Sequence, residues 1–187
     1  MSDYNPSGFS SSSYRYELFL FLAVLLIAWA SLYLVDLGSV EFMHEEGRRA
    51  LAAREMAERG EYWVPSVLDR VYLNKPPGFP WLIRLAAFFS GGMTEWSVRF
   101  PSAAATAMGA LSILFFCPQR LSLRARFVAA MLFFCTFMSL EKGRLGEIEA
   151  AFTLLVWGSL VFAWQGFQSS RHRWWWLSGL ALGAAVL

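Results

Sequence analysis

The sequence predicts an all-α integral membrane protein, with about five transmembrane helices and one large loop after the first of them. Three observations carry this. Hydrophobic residues make up 57% of the 187 positions and charged residues only 16%, where an ordinary globular domain has about 25% charged. The apolar residues fall in long runs, not in the mixed pattern of a soluble helix. Short arginine clusters separate the later runs, as they do between membrane spans. The net charge of +2 gives no footing for a nucleic-acid partner.

Residues 1–16 are polar and serine-rich and read as a disordered cytoplasmic tail. Residues 18–35 carry no charge; at about 1.5 Å per residue they reach roughly 27 Å, close to the hydrocarbon thickness. No clear small-residue cleavage site follows, so the run is expected to be an uncleaved signal anchor. Residues 36–95 then hold nine acids and seven Lys or Arg. Within them 45–59 has helical composition, with Gly60 as its stop. The stretch YLNKPPGFP at 72–80 has three prolines, which forbid a regular helix there. Residues 81–89 are apolar but too short to span, and suit a juxtamembrane helix in the interface.

Further spans are expected at 96–116, 127–140, 150–167 and from 174 onward. Between them lie a basic loop at 118–126 (Arg120, Arg124, Arg126), a polar turn at 141–149 and a basic loop at 171–173. Leu187 falls within an apolar run. The expectation is therefore that the chain is truncated there, and that 17–187 is the N-terminal part of a larger transmembrane domain. Cys117 and Cys135 sit in or at the end of apolar runs without a CxxC partner. They read as small buried hydrophobes, not as a disulfide or zinc framework. Alternating spans put both basic loops on one face, cytoplasmic by the positive-inside rule, and leave 36–95 and 141–149 outside.

Two acidic clusters thus share the external face: Glu41, Glu45 and Glu46 after the first span, Glu147 and Glu149 before the fourth. Each cluster alone reads first as solvated interfacial charge; together, flanking a cleft, they suit acid–base chemistry. Lys75, between Asn74 and Pro76, is a fixed ammonium suited to a lipid phosphate, or a lysine snorkelling to headgroups. Arg48, Arg49 and Arg144 are further candidates for phosphate. No His or Cys has metal-ligand spacing, so no metal site is assigned.

The run HEEGRRALAAREMAERGEYWVPSVLDRVYLNKPPGFPWL resembles the first external loop of the GT-C membrane glycosyltransferases, nearest to the aminoarabinose transferase-like and protein O-mannosyltransferase groups. The matched features are Glu45-Glu46, Glu55-Met56, Gly60 to Trp63, Pro65, Tyr72 and Lys75 to Pro77, in order. TEWSVRFPSA at 94–103 and GRLGEIEAAFTLL at 143–155 resemble later motifs of the same family. The resemblance implies a GT-C-like fold with 36–95 as the catalytic loop. It assigns Glu45 as the catalytic carboxylate and Glu149 as the second acid. Lys75 and Arg48 become phosphate contacts, and Glu46 and Tyr72 join them in substrate binding.

Two departures are Glu45 and Glu149, where the family usually has Asp. A third is Asn74, where Glu is common, which weakens any inference of a bound divalent metal. The implied activity is transfer of a sugar from a polyprenyl-phosphate donor to an acceptor (lipid, protein or glycan) at the external face of a bacterial inner membrane. The partners are then that donor and membrane lipid. The competing reading is a non-enzymatic membrane module that binds polyprenyl-phosphate lipid and needs Lys75 but not Glu45.

Overall fold

A computed structural model describes residues 11–117, 121–169 and 171–187. Helix α1 (Ser11–Trp29) runs into a π-helical turn, Ala30–Leu34, and together they form an apolar span over Ser13–Leu34. The turn seats Tyr33 in the interior, where its hydroxyl donates to the Phe134 carbonyl at 2.9 Å. The free carbonyls of a helix end need donors. Here Arg144 supplies them, with Nη1 to Leu32 O at 2.6 Å and Nη2 to Val35 O at 2.8 Å.

The loop after the first span is ordered. Glu45 stands at the N-cap position of α2 (Glu46–Arg59) without a side-chain capping bond, and Gly60 ends the helix in the left-handed conformation at φ +67°. A two-residue hairpin follows, β1 (Ser66–Val67) antiparallel to β2 (Arg70–Val71). Its turn residues Leu68 and Asp69 both have positive φ, 54° and 61°, as a tight hairpin turn of this hand requires. Glu55 ties the hairpin to α2 by accepting from Ser66 Oγ and Leu68 N, both at 2.6 Å. Helix α3 (Gly78–Ser90) buries Phe79, Pro80, Ile83 and Ala86 and leaves Leu82, Leu85, Phe88 and Phe89 exposed. An apolar helix of 13 residues with an apolar outer face fits the expected interfacial placement.

Helix α4 (Glu95–Phe116) is the centre of the bundle, packing on α2, α3, the π-turn and the helices that follow. Thr94 starts it with a capping box: its Oγ1 accepts from Ser97 N, and Ser97 Oγ accepts from Thr94 N. Ala103, Ala105, Gly109 and Ala110 keep its buried face small, so neighbouring helices approach closely. Helices α5 (Leu123–Cys135) and α6 (Phe137–Arg144) meet at a 61° bend at Thr136. Helix α7 (Glu149–Ser169) packs along α8 (His172–Val186), with Gly166 against the Trp175 indole.

Three described helices are long and apolar enough to cross a membrane, and α5–α6 makes a fourth if the bent pair is one span. The expected start of a fifth is α8, whose 15 residues reach Val186, one residue before the last of the given sequence. Some expectations are corrected. Residues 11–16 are helical, not a disordered tail; 1–10 lie outside the described residues. Arg124 and Arg126 belong to α5, not to a loop, while Arg120 lies outside the described residues. Residues 141–144 continue α6, whose polar face turns inward, instead of opening a turn. Pro80 lies inside α3, in its first turn, where a missing N–H costs nothing. Cys135 is exposed, not buried.

Candidate functional site

The two acidic segments meet through Glu46. Its carboxylate is fully buried and accepts four hydrogen bonds: Arg99 Nε at 2.9 Å, Arg99 Nη2 at 2.8 Å, Met43 N at 2.9 Å and Gly146 N at 2.6 Å. Arg99 fills its remaining donors with the carbonyls of Leu37, Val40 and Glu41 at 2.8–2.9 Å. All five guanidinium N–H groups are used, and so are the four acceptor sites of the carboxylate. Burial pushes the Glu46 carboxyl up, but the hydrogen bonds from Arg99, Met43 N and Gly146 N outweigh it and hold the group below the usual carboxylate range. One ion pair therefore joins the loop after the first span, the N-terminus of α2, the first turns of α4 and the strand-like link into α7.

Glu45 immediately precedes this clamp, and Glu149 follows Gly146 by three residues, so the clamp draws both acid-bearing segments to the same end of the bundle. Glu45 is half-exposed at the α2 N-terminus and pairs with Arg48 at 2.7 Å. Glu149 opens α7, and its Oε2 is buried without a hydrogen-bond partner. It lines a cavity of about 440 Å³ with Thr106, Ser139, Lys142, Thr153 and Trp157. Lys142 is engaged elsewhere, with Glu147 Oε2 at 2.9 Å. The mostly apolar wall of this cavity thus includes one carboxylate whose buried Oε2 lacks a hydrogen-bond donor.

Lys75 is exposed in the proline loop and makes no hydrogen bond or ion pair with the described residues. Tyr72 is half-buried; its backbone N–H donates to Pro65 O at 2.8 Å. Glu46 takes a place other than the substrate-binding one expected of it, because every acceptor position is filled inside the protein. Arg144 likewise serves the end of the first span, leaving no donor fork for a phosphate. Arg99 is the site residue that the motif reading does not single out, although an arginine among apolar helical residues signals a partner. Among the described residues no group of three or more His, Cys, Asp or Glu converges to hold a metal ion.

A second cavity, about 540 Å³ and mostly apolar, opens between α3, α4 and α7 against the end of α8. Phe79, Phe100, Pro101, Met108 and Leu155 line it. Such a wall suits an apolar occupant.

A family model described as dolichyl-phosphate-mannose-protein mannosyltransferase matches residues 74–187. The chain is also similar to proteins named undecaprenyl phosphate-alpha-4-amino-4-deoxy-L-arabinose arabinosyl transferase. It is 32% identical to the one from Pectobacterium carotovorum over 171 residues, 88% of this chain and 30% of the relative. It is 31% identical to the second such transferase of Pseudomonas fluorescens over 183 residues, 94% of this chain and 32% of the relative. To the Edwardsiella ictaluri protein it is 30% identical over 154 residues, 81% and 27% of the two chains. The chain thus spans about a third of the length of these relatives. No solved structure matches.

Proposed function

Because the chain belongs to the dolichyl-phosphate-mannose-protein mannosyltransferase family, we propose that it takes part in moving a glycosyl group from a polyprenyl-phosphate donor to an acceptor at the external face of the plasma membrane. The relatives are named for an undecaprenyl-phosphate aminoarabinose donor, and that lipid-linked pentose is the donor class favoured here. The supporting observation is the Glu46–Arg99–Gly146 clamp, which sets two carboxylates not committed to the fold, Glu45 and Glu149, at one end of the bundle.

In this reading the acceptor nucleophile attacks the anomeric carbon of the donor sugar. The new glycosidic bond forms as the bond from that carbon to the phosphate oxygen breaks. The electron pair leaves on the lipid phosphate, and the acceptor proton passes to Glu45 as general base. Lys75, with no internal partner to leave, stabilises the charge on the departing phosphate. Glu149 orients the acceptor through its unsatisfied Oε2. Arg48 holds Glu45 in place at 2.7 Å.

Glu45→Gln in the full protein, assayed for transfer from an undecaprenyl-phosphate-linked sugar in membranes, is expected to lower turnover by roughly 10²–10⁴ at unchanged folded yield. Unchanged turnover would remove Glu45 from the chemistry. The competing reading, a lipid-binding module without catalysis, draws on the unpartnered Lys75 and the apolar groove, neither of which needs Glu45. Lys75→Ala lowers lipid binding under both readings, whereas only the transferase reading gives a wild type that turns the lipid over and a Glu45→Gln variant that binds it without doing so.

A further inference from the structure

Residues 61–65 run from the end of α2 to the hairpin as an irregular strap, and the strap is fastened to the outer side of α3. Trp81 Nε1 donates to Tyr62 O at 2.7 Å. The Arg84 guanidinium lies over the Tyr62 ring, 4.4 Å from its centroid, and the Trp63 and Trp81 rings meet edge to face at 5.4 Å. Trp63 is nonetheless 71% exposed, and its indole N–H makes no hydrogen bond with the described residues. Val64 beside it is exposed as well. On α3 the same surface continues, because Trp81, Leu85 and Phe88 stand on one stripe of the helix and the last two are exposed. A contiguous apolar surface of this kind marks an interaction site.

The depth of α3 says what covers it. Its Phe79, Leu82 and Phe89 share a groove with Phe100, Ala104 and Met108 of α4, and Met108 lies past the midpoint of that 22-residue span. A helix alongside this stretch is at the level of the bilayer edge, and the side it turns away from the bundle meets lipid. The strap fastened to that side is at the same level, so its surface is continuous with the lipid-facing surface of the spans. Its chemistry agrees. No charge falls between Tyr62 and Pro65, while Glu61 stands at one border and Arg84 at another. Trp and Tyr join an apolar body to a polar tip, as the headgroup boundary requires. Irregular backbone at that depth also needs its polar groups met. Besides the bond to Tyr62 O, Trp63 N donates to Glu61 Oε1 at 3.1 Å, Pro65 has no N–H, and Pro65 O accepts from Tyr72 N at 2.8 Å. We propose that the strap, led by Trp63, is seated with α3 at the acyl–headgroup boundary of the lipid leaflet on its side of the membrane, as a second interfacial anchor beside the helix. The inference needs only the spans, and it stands whether or not the chain is a transferase.

The test places a bimane fluorophore on a single cysteine of the full protein, its native cysteines replaced, in phosphatidylcholine nanodiscs. The quenchers are a phosphatidylcholine spin-labelled high on its acyl chain and aqueous iodide. Val64→Cys, which leaves Trp63 in place, is compared with Phe88→Cys on the outer face of α3 and with Ala57→Cys on the exposed side of α2. The ratio of lipid to iodide quenching at position 64 is expected to match that at 88 and to exceed that at 57 at least about fivefold. Trp63→Cys, at the more exposed position, carries the same reading if Val64→Cys does not fold. A ratio at 64 equal to that at 57 overturns the proposal; with 88 still quenched from the lipid, α3 stays in the interface and the strap stands in water. A probe at 64 that neither quencher reaches overturns it too, because protein then covers the patch. Lipid quenching at neither 64 nor 88 removes the interfacial placement of α3 as well.

Discussion

Arg99 and Glu46, 53 positions apart in the chain, meet in a two-point contact of 2.9 and 2.8 Å in which both side chains are out of contact with solvent. The pair is a junction, not an ornament of the surface, because the partners also take up the carbonyls of residues 37, 40 and 41 and the amides of 43 and 146.

Removing one member should be costly. Arg99→Leu leaves a buried carboxylate without its counter-ion, held by the amides of Met43 and Gly146 alone, and takes the guanidinium donor from three carbonyls, so a loss of about 3–5 kcal/mol is expected. Arg99→Lys keeps the charge but cannot span both carboxylate oxygens and three carbonyls at once, so it should recover only part of the loss. Thermal unfolding of the detergent-solubilised protein reads both. An Arg99→Leu variant as stable as wild type would mean that the clamp does not hold the loop.

Acid should weaken the same junction. The folded value of Glu46 lies below its ordinary one, so its contribution is complete above the unfolded carboxylate value of about 4.3. It is lost as the pH falls through the folded value. Glu55 has the same sign, held low chiefly by the hydrogen bond from Ser66. The melting temperature is therefore expected to be flat on going down to about pH 5 and to drop below about pH 4, and to do so in Glu55→Gln too. A melting temperature that rises on acidification would mean that Glu46 is neutral in the folded chain.

Gly143 packs where no side chain fits. A Cβ there would stand 2.5 Å from Tyr33 Cε1 and 2.6 Å from Thr106 Oγ1, both in the interior. Gly143→Ala is expected to destabilise by about 1–3 kcal/mol through overpacking. Gly158→Ala, inside α7 with open space around it, should be neutral or stabilising by roughly 0.5–1 kcal/mol. Equal melting temperatures for the two variants would show that the first span and α6 do not pack as described.

The helices were legible because their signals are local. The charge-free run at 18–35, Gly60 as a stop and the apolar stretch opening at 96 each state their element in consecutive residues. The hairpin at 66–71 escaped notice because its turn is Leu68-Asp69, without the glycine that marks most such turns. The bend at Thr136 was hidden inside an apolar run, since a break in a helix need not interrupt hydrophobicity. At the site, the motif pointed to Glu45 and Glu46 together, but only tertiary structure tells them apart. Glu46 meets Arg99 from a distant helix, while Glu45 one residue earlier faces outward. Arg48 and Arg49 divide in the same way, by which side of α2 each occupies.

The link from Glu46 to Gly146 spans 100 residues, and this orders events during synthesis. At ~5–20 residues per second, the Gly146 amide leaves the ribosome about 5–20 s after Glu46 does. Arg99 emerges at roughly the midpoint of that interval and can neutralise Glu46 early, but the carboxylate has its last donor only once the link into α7 has been made. For the second half of that interval the loop with Lys75 is closed by Arg99 but not yet joined to the segment that carries Glu149. Slowing translation between Arg99 and Gly146 would lengthen the exposure of this loop to proteases and chaperones without changing the finished fold.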